Sequence, residues 1–144
     1  MPEISRWFIK AGLVYFVVGI VLATLAEFPG FSKGALLLPV YWHMIVLGWI
    51  TQIIMGVSIW MFPRRNRKRD LIETWKARAA FWLLNGGLIL RFGSEPFLPL
   101  VQNPGLITIS IVLSSLMQTA AIVFYIAEIW PRVFSRKPVA RRKK

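Results

Sequence analysis

Four long apolar runs constrain this chain more than any other feature. They cover about residues 7–28, 35–62, 79–98 and 105–130. A helix needs about 20 apolar residues to cross the hydrocarbon core of a bilayer. The apolar residues come as unbroken runs without the alternation of barrel strands, which points to helices. Breakers fall between the runs: Pro29-Gly30 after the first, Pro63 and a cluster of arginines after the second, and Pro131 after the fourth. The third run is the least regular, interrupted by Asn85, Gly86, Gly87, Arg91 and Glu95. Hydrophobic residues make up 56% of the 144, more than a soluble domain of this size can hide from water. The expectation is an all-α, four-transmembrane-helix bundle forming one domain over 1–144, with a basic tail at 131–144. The first run has no small-residue cleavage site after a short apolar core, so it reads as a retained span.

The formal net charge of +12 raises the question of a nucleic-acid partner, and the placement of the charge answers it. Arg64, Arg65, Arg67, Lys68, Arg69, Lys76 and Arg78 crowd the connection between the second and third runs. Arg132, Arg136, Lys137, Arg141, Arg142, Lys143 and Lys144 follow the fourth, and Arg6 and Lys10 flank the first. The other two connections hold only Lys33. With four spans, the basic segments share one side, which the positive-inside rule makes cytoplasmic. Trp7, Trp60, Trp75 and Trp130 fall near that interface, as belt tryptophans do. The charge therefore reads as an orientation signal with attraction to anionic membrane lipid, and nucleic acid is not expected as a partner. There is no cysteine, which excludes disulfides, iron–sulfur clusters, thiolate nucleophiles and covalent c-type heme attachment. No carboxylate dyad, nucleophile–base pair, phosphate loop or zinc spacing is present, so independent catalysis is not expected.

His43 is the only histidine. Counted from Ala35 at ~1.5 Å per residue, it lies roughly 12 Å into the second helix, in the outer half of the membrane. An ionisable residue at that depth is a functional candidate, and neutral imidazole is a common heme ligand. The alternative is a histidine that hydrogen-bonds between helices. After it come Gly48-Trp49, then Gly56, Trp60 and Pro63-Arg64.

This stretch resembles the second helix of the heme–copper oxidase subunit I superfamily, and most closely its small, four-helix bacterial membrane relatives. The resemblance is strongest over 39–65, and weaker at Leu83-Leu84-Asn85-Gly86-Gly87 and Ile129-Trp130-Pro131-Arg132. It implies that His43 is an axial ligand of a b-type heme iron and that the chain sits in the bacterial cytoplasmic membrane. Tyr41 stands where members of the family often carry a second histidine. The further histidines of an oxygen-reducing binuclear center are missing, so that reaction is excluded for this chain alone. The sixth iron position is open to three sources: His43 of a second copy in a two-fold dimer, a methionine among Met44, Met55 and Met117, or a small gas. Each methionine reads first as packing filler.

Arg91 is the arginine placed inside a span. Its planar fork suits a heme propionate, while Glu95, four residues on, is the alternative partner. Trp49, near mid-membrane, either packs on a neighbouring helix or walls a heme cleft. Ser114 with Gln118, and Ser115 with Thr119, share faces of the fourth helix and read as interhelical hydrogen-bonding groups. A quinone pocket is the other reading of those polar groups. Asn85-Gly86-Gly87 and Gly12/Gly19 read as close-packing positions. Thr51 and Gln52 receive no role. The leading expectation is a cytochrome-like b-type heme protein for electron transfer or gas binding, working as a homodimer or a subunit of a respiratory complex. The runner-up is a heme-free accessory subunit. A channel or transporter is disfavoured, because no paired charges mark a path.

Overall fold

The computed structural model describes residues 1–28, 34–62 and 75–133. The basic connection at 63–74, the Pro29-Gly30 breaker, Lys33 and the tail from 134 onward lie outside the described residues. The described residues form helices only, and the four expected helices are present: α1 (Glu3–Ala26), α2 (Leu38–Met61), α3 (Trp75–Ser94) and α4 (Gly105–Val133). Three of them, α1, α2 and α4, are long and apolar enough to cross a membrane. The fourth, α3, spans about 30 Å at ~1.5 Å per residue, but Lys76, Arg78, Asn85 and Arg91 lower its apolar content. Apolar side chains such as Val17 on α1, Ile54 on α2, Ile89 on α3 and Leu106 on α4 point outward. An exposed apolar surface over such helices is what lipid solvates, and it marks a multi-pass membrane protein.

The helix ends differ from the sequence expectation by a turn in places. Helix α1 begins at Glu3 rather than near Trp7, with an acidic residue in its first turn to complement the helix dipole. A single 3₁₀ turn, Gly34–Leu37, leads into α2, and Pro39 falls in the first turn, where a missing N–H costs nothing. Helix α3 starts four residues before the expected 79 and stops at Ser94 instead of 98. Pro96 and Pro99 follow, and the chain tightens into a 3₁₀ turn, Glu95–Leu100. Helix α4 passes through Pro131 to Val133. A proline in the last turn removes only one hydrogen bond there, so it does not end the helix where expected.

Two tight antiparallel pairs, α1 with α2 and α3 with α4, make the bundle. Helices α2 and α3 pack on each other in the middle, while α1 and α4 do not touch. Trp7 and Phe8 of α1 meet Phe81 of α3 at ring centroid distances of 5.7 and 5.2 Å. Arg132 of α4 reaches the last carbonyls of α2. These contacts gather the start of α1, the end of α2, the start of α3 and the end of α4 at one end of the bundle. Arg6, Lys10, Lys76, Arg78 and Arg132 lie toward that end, and His43 and Arg91 toward the other.

The helices approach closely where side chains are absent. A Cβ on Gly48 would lie 2.7 Å from the Tyr15 ring. One on Gly56 would lie 3.0 Å from the Ser5 carbonyl oxygen. One on Gly87 would meet the Ser114 carbonyl oxygen at 3.0 Å. Small residues at such crossings let backbones touch, a main source of helix association in lipid. Gly12 and Gly19 do the same against Ile53 and Ile45, as expected from the sequence. Gly93 has nothing within 4 Å. Gly87→Val is therefore expected to cost about 1–3 kcal/mol through overpacking, while Gly93→Ala is neutral or slightly stabilising. Denaturant unfolding of the detergent-solubilised protein measures both.

Candidate functional site

The buried polar residues of α2, α3 and α4 line a seam on the inner sides of these helices. At its middle, Gln52 of α2 is fully buried and donates to the Asn85 side-chain oxygen at 3.2 Å. The Asn85 amide donates back at 3.4 Å and also to the Phe81 carbonyl at 2.8 Å. In lipid an unpaired amide has no water to turn to, so the two amides satisfy each other. Toward α4, the Ser114 hydroxyl donates to the Gly87 carbonyl at 2.7 Å, and the Gln118 amide donates to Ser114 at 3.0 Å. Ser58 and Tyr125 join their hydroxyls at 2.7 Å. At the basic end, Arg132 pairs with Glu128, and its guanidinium donates to the Ile59 and Phe62 carbonyls at 3.1 and 3.2 Å. It caps α2, whose last carbonyls have no partner in their own helix.

The other end of the seam holds the candidate site. Arg91 donates from Nε and Nη2 to the two Glu95 oxygens, at 3.0 and 2.9 Å, and from Nη1 to Ser115 at 3.1 Å. The fork that could hold a propionate is thus taken by Glu95, the alternative partner named from the sequence. His43 lies beside this pair, its Nδ1 3.9 Å from Glu95 Oε2. That distance exceeds a hydrogen bond. Nδ1 is instead 2.8 Å from the Pro39 carbonyl oxygen, one turn back on α2. A carbonyl only accepts, so Nδ1 carries a proton, and in the neutral ring Nε2 then holds the lone pair. Among the described residues Nε2 has no hydrogen-bond partner. The side chain is 26% exposed.

A π-helical stretch, Met44–Thr51, sets this geometry. At 3.6 residues per turn, the nine residues from His43 to Gln52 make about two and a half turns, which would put them on opposite faces. The i to i+5 register spends about one extra residue per turn. The phase slips, and both residues face α3 and the turn that follows it. The Thr51 hydroxyl supports the wide register by donating to the Val46 carbonyl, five residues back, at 2.8 Å. Such stretches cost helix stability and occur often at functional sites.

The remaining sequence candidates fall in different places. Trp49 lies against Phe16 of α1, ring centroids 4.1 Å apart, on the packing side of its two readings. Tyr41 is half-buried and touches the ring of Trp42 at 5.2 Å, near His43 in the same helical turn. Met44 and Met55 are buried in the core, and the Met117 methyl lies where a Cβ on Gly86 would be. Ser115 and Thr119 bond carbonyls of their own helix. Sequence reasoning left Gln52 without a role, missed Ser115 as a partner of Arg91, and did not bring Glu95 to His43. One signal for the first was available: Gln52 and Asn85 stand about equally far from the same end of their helices. The π register that orients Gln52 has no mark in the residues.

The Arg91–Glu95 pair predicts a measurable coupling. Arg91→Met or Glu95→Met alone leaves a largely buried charge unpaired and is expected to cost about 3 kcal/mol. The double replacement is expected to cost less than either single one. A double-mutant cycle on detergent unfolding reads the difference. Comparison of the chain with family models, with characterised proteins and with solved structures finds no match.

Proposed function

We propose that this chain is a membrane b-type heme-binding protein with His43 as axial ligand through Nε2. The observation that carries the reading is the state of the imidazole. Its Nδ1 proton is held by the Pro39 carbonyl at 2.8 Å, which fixes the tautomer that leaves Nε2 able to bind iron. Metal-bound histidines use the same arrangement, with the second nitrogen donating to a backbone carbonyl or carboxylate. The ring stands at an edge of the bundle, with Tyr41 and Trp42 in the same turn. Bound heme would supply one-electron redox chemistry or an iron able to take a small gas.

The residues around it have plain tasks. Pro39 orients the ring. Glu95 and Arg91 neutralise each other, so the imidazole is next to a compensated pair rather than a bare charge. Arg91 serves a propionate only by sharing its fork with Glu95. The seam of amides and hydroxyls holds α2 and α3 at the register that sets His43 on this side. The basic end of the bundle, with Arg6, Lys76, Arg78 and Arg132, supports termini on the cytoplasmic side, and the resemblance of the second helix supports a bacterial inner membrane.

A heme-free accessory subunit of a respiratory complex is the second reading. The polar seam favours it, since its side chains spend their hydrogen bonds joining helices. Absorption spectroscopy separates the two. Protein purified in mild detergent from heme-replete cells is expected to show a Soret band that is lost in His43→Ala. A colourless wild-type preparation would overturn the heme reading.

A further inference from the structure

We propose that the iron site is completed by a second copy of this chain, with His43 of two protomers ligating one heme across a two-fold axis. This rests on the reading of His43 as a heme ligand and adds where the other axial ligand comes from. The chain has one histidine and no cysteine. Among the described residues no group of three histidine, cysteine or carboxylate side chains is placed to hold a metal. The thioethers are either packed between helices or, for Met1 and Met61, at the far basic end of the bundle. Met44 and Met55 are 1% exposed, packed in the core. Met117 fills the space over Gly86 between α3 and α4. Met61 is at the basic end of α2, eighteen residues or about 27 Å of helix from His43 at ~1.5 Å per residue. One protomer therefore offers iron a single strong ligand.

The surface around that ligand suits a copy of itself. His43 is partly open, and Trp42, Val46, Ile50 and Ile54 form an exposed uncharged edge along α2 beside it. Two such edges meet without burying a charge. The nearby Arg91 and Glu95 charges are already paired within each protomer. An isologous contact brings each residue near the axis to its own counterpart, so a histidine there is supplied twice. Two neutral imidazoles, each with Nδ1–H on the Pro39 carbonyl of its own protomer, make a matched axial pair. The π stretch then has a reason: it keeps His43 on the side of α2 that meets the end of α3, next to Glu95 and only partly covered.

The test is hemin titration of the full-length, detergent-solubilised protein, followed by absorption and electron paramagnetic resonance, with mass measured in the same detergent. The expected result is one heme per two chains, a low-spin signal from two imidazoles, and a dimer mass for the heme-bound form. A mixed dimer of wild-type and His43→Ala chains, isolated through two different tags, is expected to hold heme with one protein ligand. Added imidazole should return it to low spin. One heme per chain, or a wild-type complex that is five-coordinate and high spin, would overturn the shared site and leave His43 as a heme ligand. No hemin binding by wild type would overturn the ligand role as well. The stoichiometry of the wild-type protein needs no variant, so a misfolded His43→Ala leaves the test intact.

Discussion

In hydrocarbon a polar group without a partner has no solvent to fall back on, and the way α2, α3 and α4 meet follows from that constraint. Helix α3 is the least apolar of the four, and it is held against α2 by the paired amides of Gln52 and Asn85 and against α4 by the Ser114 hydroxyl on the Gly87 carbonyl. Helices α1 and α4, which are more apolar, lie outside and face lipid. The bundle inverts the usual soluble arrangement only on its surface. Inside it keeps close backbone contact at Gly48, Gly56 and Gly87, and the seam adds direction to packing that would otherwise be free to slide. Arg132 does for the end of α2 what the Gln52–Asn85 pair does for its middle.

The same constraint explains the polar cluster at the other end. Arg91 is tolerable within a helix of the bundle because Glu95 accepts from its Nε and Nη2 and Ser115 from Nη1. With that pair closed on itself, His43 does not serve as counter-ion. Its one hydrogen bond is to its own helix. A histidine held in this way contributes little to helix association, and its remaining nitrogen is the reactive part. This separates His43 from Gln52, Asn85, Ser114 and Arg132, whose hydrogen bonds join helices.

Much of this was legible in the residues. The apolar runs and prolines mark four helices, because helix length in a bilayer is set by hydrocarbon thickness and proline by its missing N–H. Arg91 with Glu95 could be read from the spacing of four. The sites of close approach at Gly12, Gly19 and Gly87 could be read from residue size. The parts that could not be read depend on phase. Gln52 shares the α3-facing side with His43 only because of the π register over Met44–Thr51, and a regular helix count separates them. The continuation of α4 past Pro131, and the stop of α3 before Pro96, depend on how many hydrogen bonds remain to be lost at each end. Trp49 was open to two readings, and its contact with Phe16 is set by the pairing of α1 with α2.

The proposed chemistry depends on one proton, and the chain's single histidine makes that proton observable. Nitrogen-15 NMR of histidine-labelled, heme-free protein in detergent or bilayers reports the tautomer of His43 directly. The account expects a neutral ring protonated at Nδ1 and unprotonated at Nε2, the form held by the Pro39 carbonyl and open to iron. A ring protonated at Nε2, with Nδ1 bare, would contradict it, since Nε2 would have no lone pair to offer and Nδ1 no proton to donate to the Pro39 carbonyl.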